Sequence, residues 1–241
     1  MKPRSIASVL LCAAFVGGCA AQKSWVYAPD PYREATVGNT KTAVVLPFDD
    51  MRENINTNHL LLYMIPLVPY SSATYSVPEG QQMHVTSGLW TNYKPTEDFA
   101  KALASELQNA HMFKEVYFDF KKGSSDVVVR GKILSTKYEG TIISYGLSVE
   151  GPLLWFLGLP SGTVTNELSV ELSCVDSKSD QVLFTKTYNA PPYSKTAWIY
   201  VMPSDFNYPA MLKDVYRNFI NDLRTHGVTL SGTVRHMLPR S

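Results

Sequence analysis

The side chains that could carry acid–base chemistry in this 241-residue chain are few. Asp49 and Asp50 follow an apolar run at the end of a predicted strand, where α/β proteins often place active residues. They are the candidates for a hydrolase, although a solvated strand exit or a helix cap would use the same pair. Glu167 and Glu171 share one face of another predicted strand, and nothing around them indicates a paired acid and base.

The five histidines are dispersed and show no metal-binding spacing such as H-E-x-x-H. His111 and His226 stand at the ends of predicted helices, where a cation interacts favourably with the helix dipole. The others are His59, His84 and His236. The chain also lacks a Gly-x-Ser-x-Gly motif and a phosphate-binding loop. We therefore expect no enzymatic activity, no metal and no cofactor.

The first residues are typical of a secretory signal peptide. Lys2 and Arg4 form a basic start, and the apolar stretch 6–16 is shorter than the roughly 20 residues of a spanning helix. The sequence Val-Gly-Gly-Cys at 16–19 resembles the bacterial lipobox. This resemblance implies cleavage between Gly18 and Cys19, a diacylglycerol thioether on Cys19 and acylation of its new amino group. The alternative is an ordinary signal peptide with an incidental cysteine.

Lipidation of Cys19 would anchor the chain to a membrane without spanning it. Each buried methylene contributes about 0.8 kcal/mol, so several acyl chains hold firmly. Ala20 stands where an aspartate would resemble the inner-membrane retention signal, which implies the periplasmic face of the outer membrane. Residues 1–18 are then the signal peptide, and 19–40 are a lipidated N-terminus and flexible tether.

Composition excludes one class of partner and limits the role of cysteine. The net charge is +1, and loss of Lys2 and Arg4 leaves the mature chain nearly neutral, which argues against nucleic acid. Cys12 leaves with the signal peptide and Cys19 is lipidated, so Cys174 remains alone without an intrachain disulfide. Cys174 lies in a predicted strand, where we expect a buried structural thiol.

Hydrophobic periodicity predicts one α/β (α+β) domain over residues 41–228, with a single mixed β-sheet and amphipathic helices packed on it. Inserts are expected at about 54–93 and 138–165, followed by a tail at 229–241. A first helix has Thr96 as its expected cap, and a second begins near Pro209 and stops at Gly227. The predicted strands are 42–48, 116–118, 126–134, 167–173 and 181–188.

Four stretches form a series similar to a family of bacterial envelope lipoproteins. They are VVLPFDD, FAKALASELQNAHMFKEVYF, SDVVVRGKILSTKY and ELSVELSCVDSKSDQVLFTKTY. The family resembled includes the curli secretion channel subunit CsgG, lipoprotein activators of peptidoglycan synthases and PelC-type export lipoproteins. It comprises channel formers, rim proteins and monomeric regulators, so the resemblance selects no single activity. Ser179-Asp180 stands where the family often has a glycine.

Two apolar segments, residues 60–70 and 151–160, lie between the predicted elements. Each is too short to span a membrane as a helix. They could fold over the sheet into the core, form an exposed patch for a partner or neighbouring subunit, or insert into a membrane. The last alternative follows from the resemblance, since channel-forming relatives place a transmembrane hairpin at the second segment. The predicted contact residues are Leu61, Tyr63, Ile65, Leu153, Leu154, Trp155 and Phe156.

Three functions follow from these observations. The first is a non-enzymatic accessory or assembly subunit of an envelope complex, anchored to the outer membrane by its acyl chains, with an envelope protein or a second copy as partner. The second is a secretion or export channel subunit whose apolar inserts approach a membrane pore. The third, a periplasmic hydrolase, would depend on Asp49 and Asp50.

Overall fold

The computed structural model describes residues 25–31, 40–81 and 94–226, which form a mixed α+β domain with two β-sheets. The α+β class, with helices packed on a mixed sheet, confirms the prediction from the sequence. The prediction of a single sheet is wrong, because the two inserts supply most strands of a second sheet. The signal peptide, Cys19 and the 229–241 tail lie outside the described residues.

The strands and helices within the described residues can be given in chain order. The strands are β1 (Thr42–Val45), β2 (Asp49–Asp50), β3 (Ile55–Asn58), β4 (Tyr70–Ser76), β5 (Glu115–Phe118), β6 (Val127–Ser135), β7 (Tyr138–Ile143), β8 (Gly162–Asn166), β9 (Ser169–Asp176), β10 (Val182–Asn189) and β11 (Tyr193–Ala197). The α-helices are α1 (Pro95–Asn109), α2 (Pro152–Phe156) and α3 (Tyr208–His226), and short 3₁₀ turns cover Leu60–Met64 and Ser148–Glu150.

The first sheet has the order β10-β9-β6-β1-β5, and β2 also pairs with β6. Strand β1 runs parallel to both of its neighbours, and its apolar residues Val44 and Val45 are fully buried on opposite faces. The pairs formed by β9 are antiparallel. In the turn before β10, Asp180 adopts φ 52°, a left-handed conformation that glycine adopts more readily than other residues.

The second sheet is antiparallel throughout and has the order β11-β8-β7-β4-β3. It is continuous with the first sheet, because β6 leads into β7 and β8 leads into β9 after two residues each. The pairing Ser135–Ser169 belongs to the first sheet and the pairing Tyr138–Asn166 to the second. One long hairpin therefore bends from one sheet into the other.

Helices α1 and α3 pack on one face of the first sheet. Phe99, Leu103 and Leu107 of α1 are fully buried at the i, i+4 spacing expected from the sequence. The residues of α3 that complete this core are Leu212, Val215, Tyr216, Phe219, Ile220 and Leu223. Cys174 is also fully buried, and this burial raises the pKa of its thiol to about 12, which confirms the expected structural thiol.

Helix α1 begins differently from the expectation and ends, as expected, next to His111. Lys94 is the N-cap, and Thr96 lies inside the first turn, where its backbone N–H and its hydroxyl donate to Glu79 Oε2 at 3.1 and 2.7 Å. At the other end the N–H groups of His111 and Met112 donate to the carbonyls of Gln108 and Leu107. His111 has φ 51°, so it occupies the left-handed position of a Schellman motif.

A polar network holds the bend between the two sheets. Arg52 is 8% exposed and pairs with Asp50 through two hydrogen bonds, of 2.8 and 2.6 Å. Its third nitrogen donates to the hydroxyl of Thr136 in the β6–β7 connection, at 2.7 Å. The Tyr208 hydroxyl donates to the carbonyl of Thr136, at 2.8 Å, and Glu79 donates its N–H to Asp50. The network therefore joins both sheets to both long helices.

The segment 25–31, assigned to the tether from the sequence, packs on the helices instead. Trp25 lies against Phe99 and Phe206, with ring centroids 5.6 and 6.2 Å apart. The Tyr27 hydroxyl donates to the buried Glu106 carboxylate at 2.6 Å. Asp30 pairs with Lys213 and Arg217 of α3, at 3.0 and 2.6 Å. The segment 25–31 therefore lies against α1 and α3.

We expect Arg52→Ala to lower the free energy of unfolding by about 3–5 kcal/mol, because it leaves the Asp50 carboxylate half-buried without its cation. Urea unfolding measures this change. Arg130→Ala is the control, since Arg130 is exposed on β6 and its removal should change stability by less than about 0.5 kcal/mol. If both variants lower the free energy of unfolding by the same amount, the Arg52–Asp50 pair does not stabilise the bend.

The pair of Arg52 and Asp50 should also make the free energy of unfolding depend on pH in the acid range. Burial alone would raise the pKa of Asp50, but hydrogen bonds from Arg52 and from the Glu79 N–H outweigh it and hold the pKa below its usual value. A depressed pKa stabilises the fold above about pH 4, the usual pKa of an unfolded aspartate, and that stability is lost as pH falls further. Arg52→Ala should weaken this acid dependence in urea unfolding measured across that range.

Candidate contact surface and cavity

Three loops at one end of the second sheet form an exposed apolar surface, which we call the apolar tip. It consists of three segments: residues 60–67 between β3 and β4, residues 147–159 between β7 and β8, and residues 198–202 after β11. The register places Tyr70 opposite Ile143, and Gly162 opposite both Ile142 and Ala197, so the three loops leave the sheet at the same edge. Glu150 is the only charged residue in these three segments.

Hydrogen bonds join the three loops into one surface. Leu67 N–H donates to the Gly146 carbonyl at 2.9 Å, and the Ser148 hydroxyl donates to the Met64 carbonyl. The third loop approaches the second through the Tyr200 hydroxyl, which lies 3.4 Å from the Phe156 carbonyl. These contacts fix the loops to one another, although few of their side chains enter the core.

The apolar side chains of the tip face outward. The exposed fraction is 89% for Leu67, 79% for Leu157, 75% for Leu61, 64% for Leu153 and 59% for Phe156. Further exposed apolar residues are Leu62, Met64, Ile65, Leu147, Val149, Leu159, Trp198, Tyr200, Val201 and Met202. This arrangement excludes burial in the core for most of the tip. A patch of this extent on a soluble domain usually marks a contact with a partner or a membrane.

The structure brings the predicted contact residues of both segments together. Leu61, Ile65, Leu153 and Phe156 are exposed, and their role as contacts stays a prediction. The side chains of Tyr63, Leu154 and Trp155 are half-buried, and the Trp155 indole N–H donates to the Ile143 carbonyl at 2.9 Å. Trp155 therefore supports the loop as well as facing outward.

The loop at 198–202 was missed by the sequence reasoning. Its sequence, Trp-Ile-Tyr-Val-Met, is free of charge and apolar, so the criterion that found the first two segments could have found it. The run is short and directly follows a strand edge, which makes it resemble a continuation of β11. The sheet register and the Tyr200–Phe156 contact place it beside the other loops, and neither is visible in the sequence.

Backbone strain accompanies the apolar surface. Leu67, Tyr145 and Ser148 have φ angles of 69°, 58° and 57°, in the left-handed region that costs a non-glycine residue about 1–2 kcal/mol. The strained residues lie in the tip or directly beside it. Strain of this kind persists where the surrounding structure imposes it and is common at functional sites.

A cavity of about 390 Å³ lies on one face of the second sheet, next to the tip. Small residues of β4, β7, β8 and β11 contribute to its lining, with Ala73 opposite Gly140 and Gly162 opposite Ala197. A Cβ on Gly162 would overlap the carbonyl oxygen of Thr141, so the strands can approach there only with glycine. Leu60, Trp155 and Met202 line the cavity and also belong to the tip.

Aromatic and polar groups line the cavity at the end away from the tip. Tyr75 and Tyr138 stack there with ring centroids 6.0 Å apart and planes 12° apart. Burial, followed by the nearby charge of Asp205 and by Tyr75, raises the pKa of Tyr138 to about 12, so its hydroxyl stays protonated at neutral pH. Asp205 is the only charged residue that lines the cavity within the described part of the chain.

The candidate acid–base residues are spread over the domain and engaged in structural contacts. Asp50 binds Arg52, Glu171 pairs with Lys132 at 2.8 Å, and Glu167 lies 3.4 Å from Lys137. Of the histidines, His59 and His111 are exposed, and His226 contacts the Asp222 carbonyl through Nδ1. His84 and His236 lie outside the described residues. Among the residues that the structure describes, no three His, Cys, Asp or Glu side chains are placed to hold a metal ion.

Among the described residues, no helix is both long and apolar enough to cross a membrane.

No protein-family model and no curated protein matches the chain. Solved structures similar to it include a protein from Xanthomonas campestris described by the family model DUF330, with 10% identity and a TM-score of 0.44 over 85% of this chain and 94% of that one. A lipoprotein from Neisseria meningitidis has 9% identity and a TM-score of 0.34, over 76% of this chain and 99% of that one. A protein from Chlamydia trachomatis has 10% identity and a TM-score of 0.36, over 79% of this chain and 98% of that one. At these values the likenesses assign no activity to this chain.

We expect Leu67→Asn to raise the free energy of unfolding by about 1 kcal/mol, because asparagine adopts the left-handed conformation more readily and the leucine buries little surface. Leu61→Asn removes an equally exposed leucine from a segment without positive φ, so it should change stability by less than about 0.5 kcal/mol. Thermal unfolding of both variants measures the difference. If Leu67→Asn is no more stable than Leu61→Asn, the left-handed conformation of Leu67 does not destabilise the folded protein.

Proposed function

We propose that this chain is an outer-membrane-anchored periplasmic lipoprotein that acts as a non-enzymatic accessory or assembly subunit of an envelope complex. The observation that carries the proposal is the apolar tip, a strained and nearly charge-free surface that the domain holds in solvent. The lipobox-like sequence ending at Cys19 supports the anchor. The resemblance to the CsgG-like group, read from the residues quoted above, supports an envelope role.

The position of the segment 25–31 supports a defined relation between the anchor and the tip. Trp25 lies six positions after Cys19, so the chain between them spans at most about 20 Å when extended. Trp25 packs against Phe206, which lies four residues after Met202 of the tip. A short tether that starts here would hold the tip close to the membrane surface, where a partner embedded in that membrane can reach it.

A channel subunit is the second candidate, and the position of the second loop favours it. Residues 147–159 connect β7 to β8, which is the insert that channel-forming members of the resembled family elaborate. In such an assembly the neighbour of the tip would be a second copy of this chain rather than another envelope protein. The identity of whatever contacts the tip therefore separates the two candidates.

We expect Cys19→Ser to release the protein from the membrane fraction or to block removal of its signal peptide, because serine cannot form the thioether. Fractionation of cells and the mass of the product measure both effects. The same substitution at Cys12, seven residues earlier, should leave processing and membrane pelleting unchanged. Normal maturation and pelleting of Cys19→Ser would rule out the lipoprotein assignment.

A photo-reactive amino acid at Phe156 should cross-link in intact cells to one envelope protein, because this side chain is exposed at the centre of the tip. The same group at Lys178, in the exposed turn between β9 and β10, should give no such product. Mass spectrometry of the adduct identifies the neighbour. An adduct with a second copy of the chain would favour the channel subunit, and no adduct from Phe156, Leu157 or Leu67 would contradict both candidates.

A further inference from the structure

The exposed side chains of the apolar tip are mainly aliphatic rather than aromatic or cationic. Leucine accounts for nine of the 26 residues in its three segments, and none of these residues is Lys or Arg. The anchors of protein–protein interfaces are typically Trp, Tyr and Arg. A surface that is dominated by leucine and free of cations instead matches the side that an interfacial membrane segment turns toward lipid.

Helix α2 turns one apolar face outward. Leu153, Phe156 and Leu157 follow the i, i+3, i+4 spacing of a single helix face, and their exposed fractions are 64%, 59% and 79%. On the opposite side of the helix, the Trp155 indole N–H donates to the Ile143 carbonyl at 2.9 Å. This hydrogen bond ties the helix to the end of β7 and so fixes the outward direction of the apolar face.

Two exposed aromatic residues stand at the base of the tip. Tyr70 pairs with Ile143 at the end of β7. Trp198 directly follows Ala197, which lies on the same register line as Ile142. Tyr70 and Trp198 are therefore at the same level of the second sheet, and they are 61% and 38% exposed. Tyrosine and tryptophan are the residues enriched at the head-group level of membranes.

Glu150, the only charged residue of the tip segments, also lies at the base. The next residue, Gly151, approaches the Ser144 backbone so closely that a Cβ on it would overlap the Ser144 carbonyl oxygen. Ser144 directly follows β7, so this contact keeps Glu150 beside the end of the sheet. The carboxylate can therefore stay in water while the leucines beyond it leave water.

The length of the tether allows the tip and the acyl chains to enter the same leaflet. Trp25 packs against Phe206, with ring centroids 6.2 Å apart. Phe206 lies four positions after Met202 of the tip, a distance of at most about 14 Å. The tether from Trp25 to Cys19 spans at most about 20 Å, so Cys19 can lie level with the tip. An anchor at this distance keeps the tip at a high local concentration next to lipid.

We propose that the apolar tip inserts into the leaflet that holds the acyl chains of Cys19, as a shallow contact that does not span the membrane. The aliphatic side chains enter the hydrocarbon, and Tyr70, Trp198 and Glu150 stay at the level of the head groups. The proposal rests on the lipid anchor of the proposed function and deepens that function by naming lipid as the contact of the tip. A partner embedded in the membrane would then meet the tip inside this leaflet.

Sedimentation with lipid vesicles tests the insertion without the anchor. The mature chain from residue 19 onward, carrying Cys19→Ser, is mixed with vesicles of phosphatidylcholine alone or of phosphatidylcholine with phosphatidylglycerol. We expect equal binding to both kinds, because the tip segments contain no Lys or Arg to attract an anionic lipid. Leu153→Ser combined with Leu157→Ser should weaken binding at least about tenfold, since binding follows the apolar area that lipid covers.

Phe120→Ser combined with Val182→Ser is the matched control. Phe120 and Val182 are 65% and 56% exposed and belong to the region of the first sheet, so their loss should leave vesicle binding unchanged. Absence of binding to either kind of vesicle, or equal losses in the tip and control variants, would overturn the proposal. Binding only to vesicles with phosphatidylglycerol would assign the contact to a cationic surface outside the tip and would also overturn it.

A fluorophore on the tip measures the depth of insertion. In the mature chain with Cys19→Ser, the remaining cysteine is the fully buried Cys174, so the substitution Leu157→Cys can be labelled selectively. With vesicles, an environment-sensitive label there should shift its emission to the blue. Nitroxide lipids should quench it more strongly when the nitroxide lies near the head group than when it lies near the end of the acyl chain. The same label on Lys178→Cys, in the exposed turn between β9 and β10, should show neither effect.

Two results of the depth measurement would overturn the proposal. An unquenched Leu157→Cys label on protein that still sediments with vesicles would place the lipid contact on another surface. Stronger quenching by the nitroxide near the end of the acyl chain would show a deep insertion rather than a shallow one.

The lipid contact and the accessory role can fail separately. Absence of vesicle binding, together with a Phe156 cross-link to an envelope protein in cells, would overturn the insertion and leave the accessory role intact. In that case the tip is a protein interface. Vesicle binding that depends on the tip leucines, without any protein adduct in cells, would support the insertion and contradict the accessory role.

Discussion

The bend of the β6–β7 and β8–β9 hairpin is the constraint on which the rest of the structure depends. At that bend one hairpin leaves a sheet covered by helices and enters a second sheet whose cavity face is open. The buried pair of Arg52 and Asp50, with Thr136, satisfies the polar groups that the bend exposes. A lost partner here would leave a half-buried carboxylate, so the network fixes the angle at which the second sheet projects.

The second sheet can project because the first sheet and its helices supply the stability. The fully buried side chains of α1 and α3 belong to one cluster with β1, β6 and β9. The second sheet contributes few buried residues, which frees its face to carry small residues and a cavity, and frees its loops to remain apolar and exposed. The packed core and the exposed apolar loops thus belong to different sheets.

The first sheet and its helices could be predicted from the sequence, whereas the second sheet could not. Strand β1 is a continuous apolar run, and β9 alternates because one of its faces is buried. Strands β7 and β8 bury Gly and Asn and leave Tyr, Thr, Ile and Val half-buried, so their sequences show no alternation of apolar and polar residues to be recognised. The two apolar segments were recognisable by composition, but their contact depends on the register of those strands.

The strained residues of the tip lie where its loops leave the sheet. Leu67, Tyr145 and Ser148 have left-handed backbone conformations there, and the Leu67 side chain is 89% exposed. Each such residue costs free energy that a core contact does not return. Leu60, Trp155 and Met202 belong to the tip and also line the cavity, so the exposed loops and the cavity form one continuous surface.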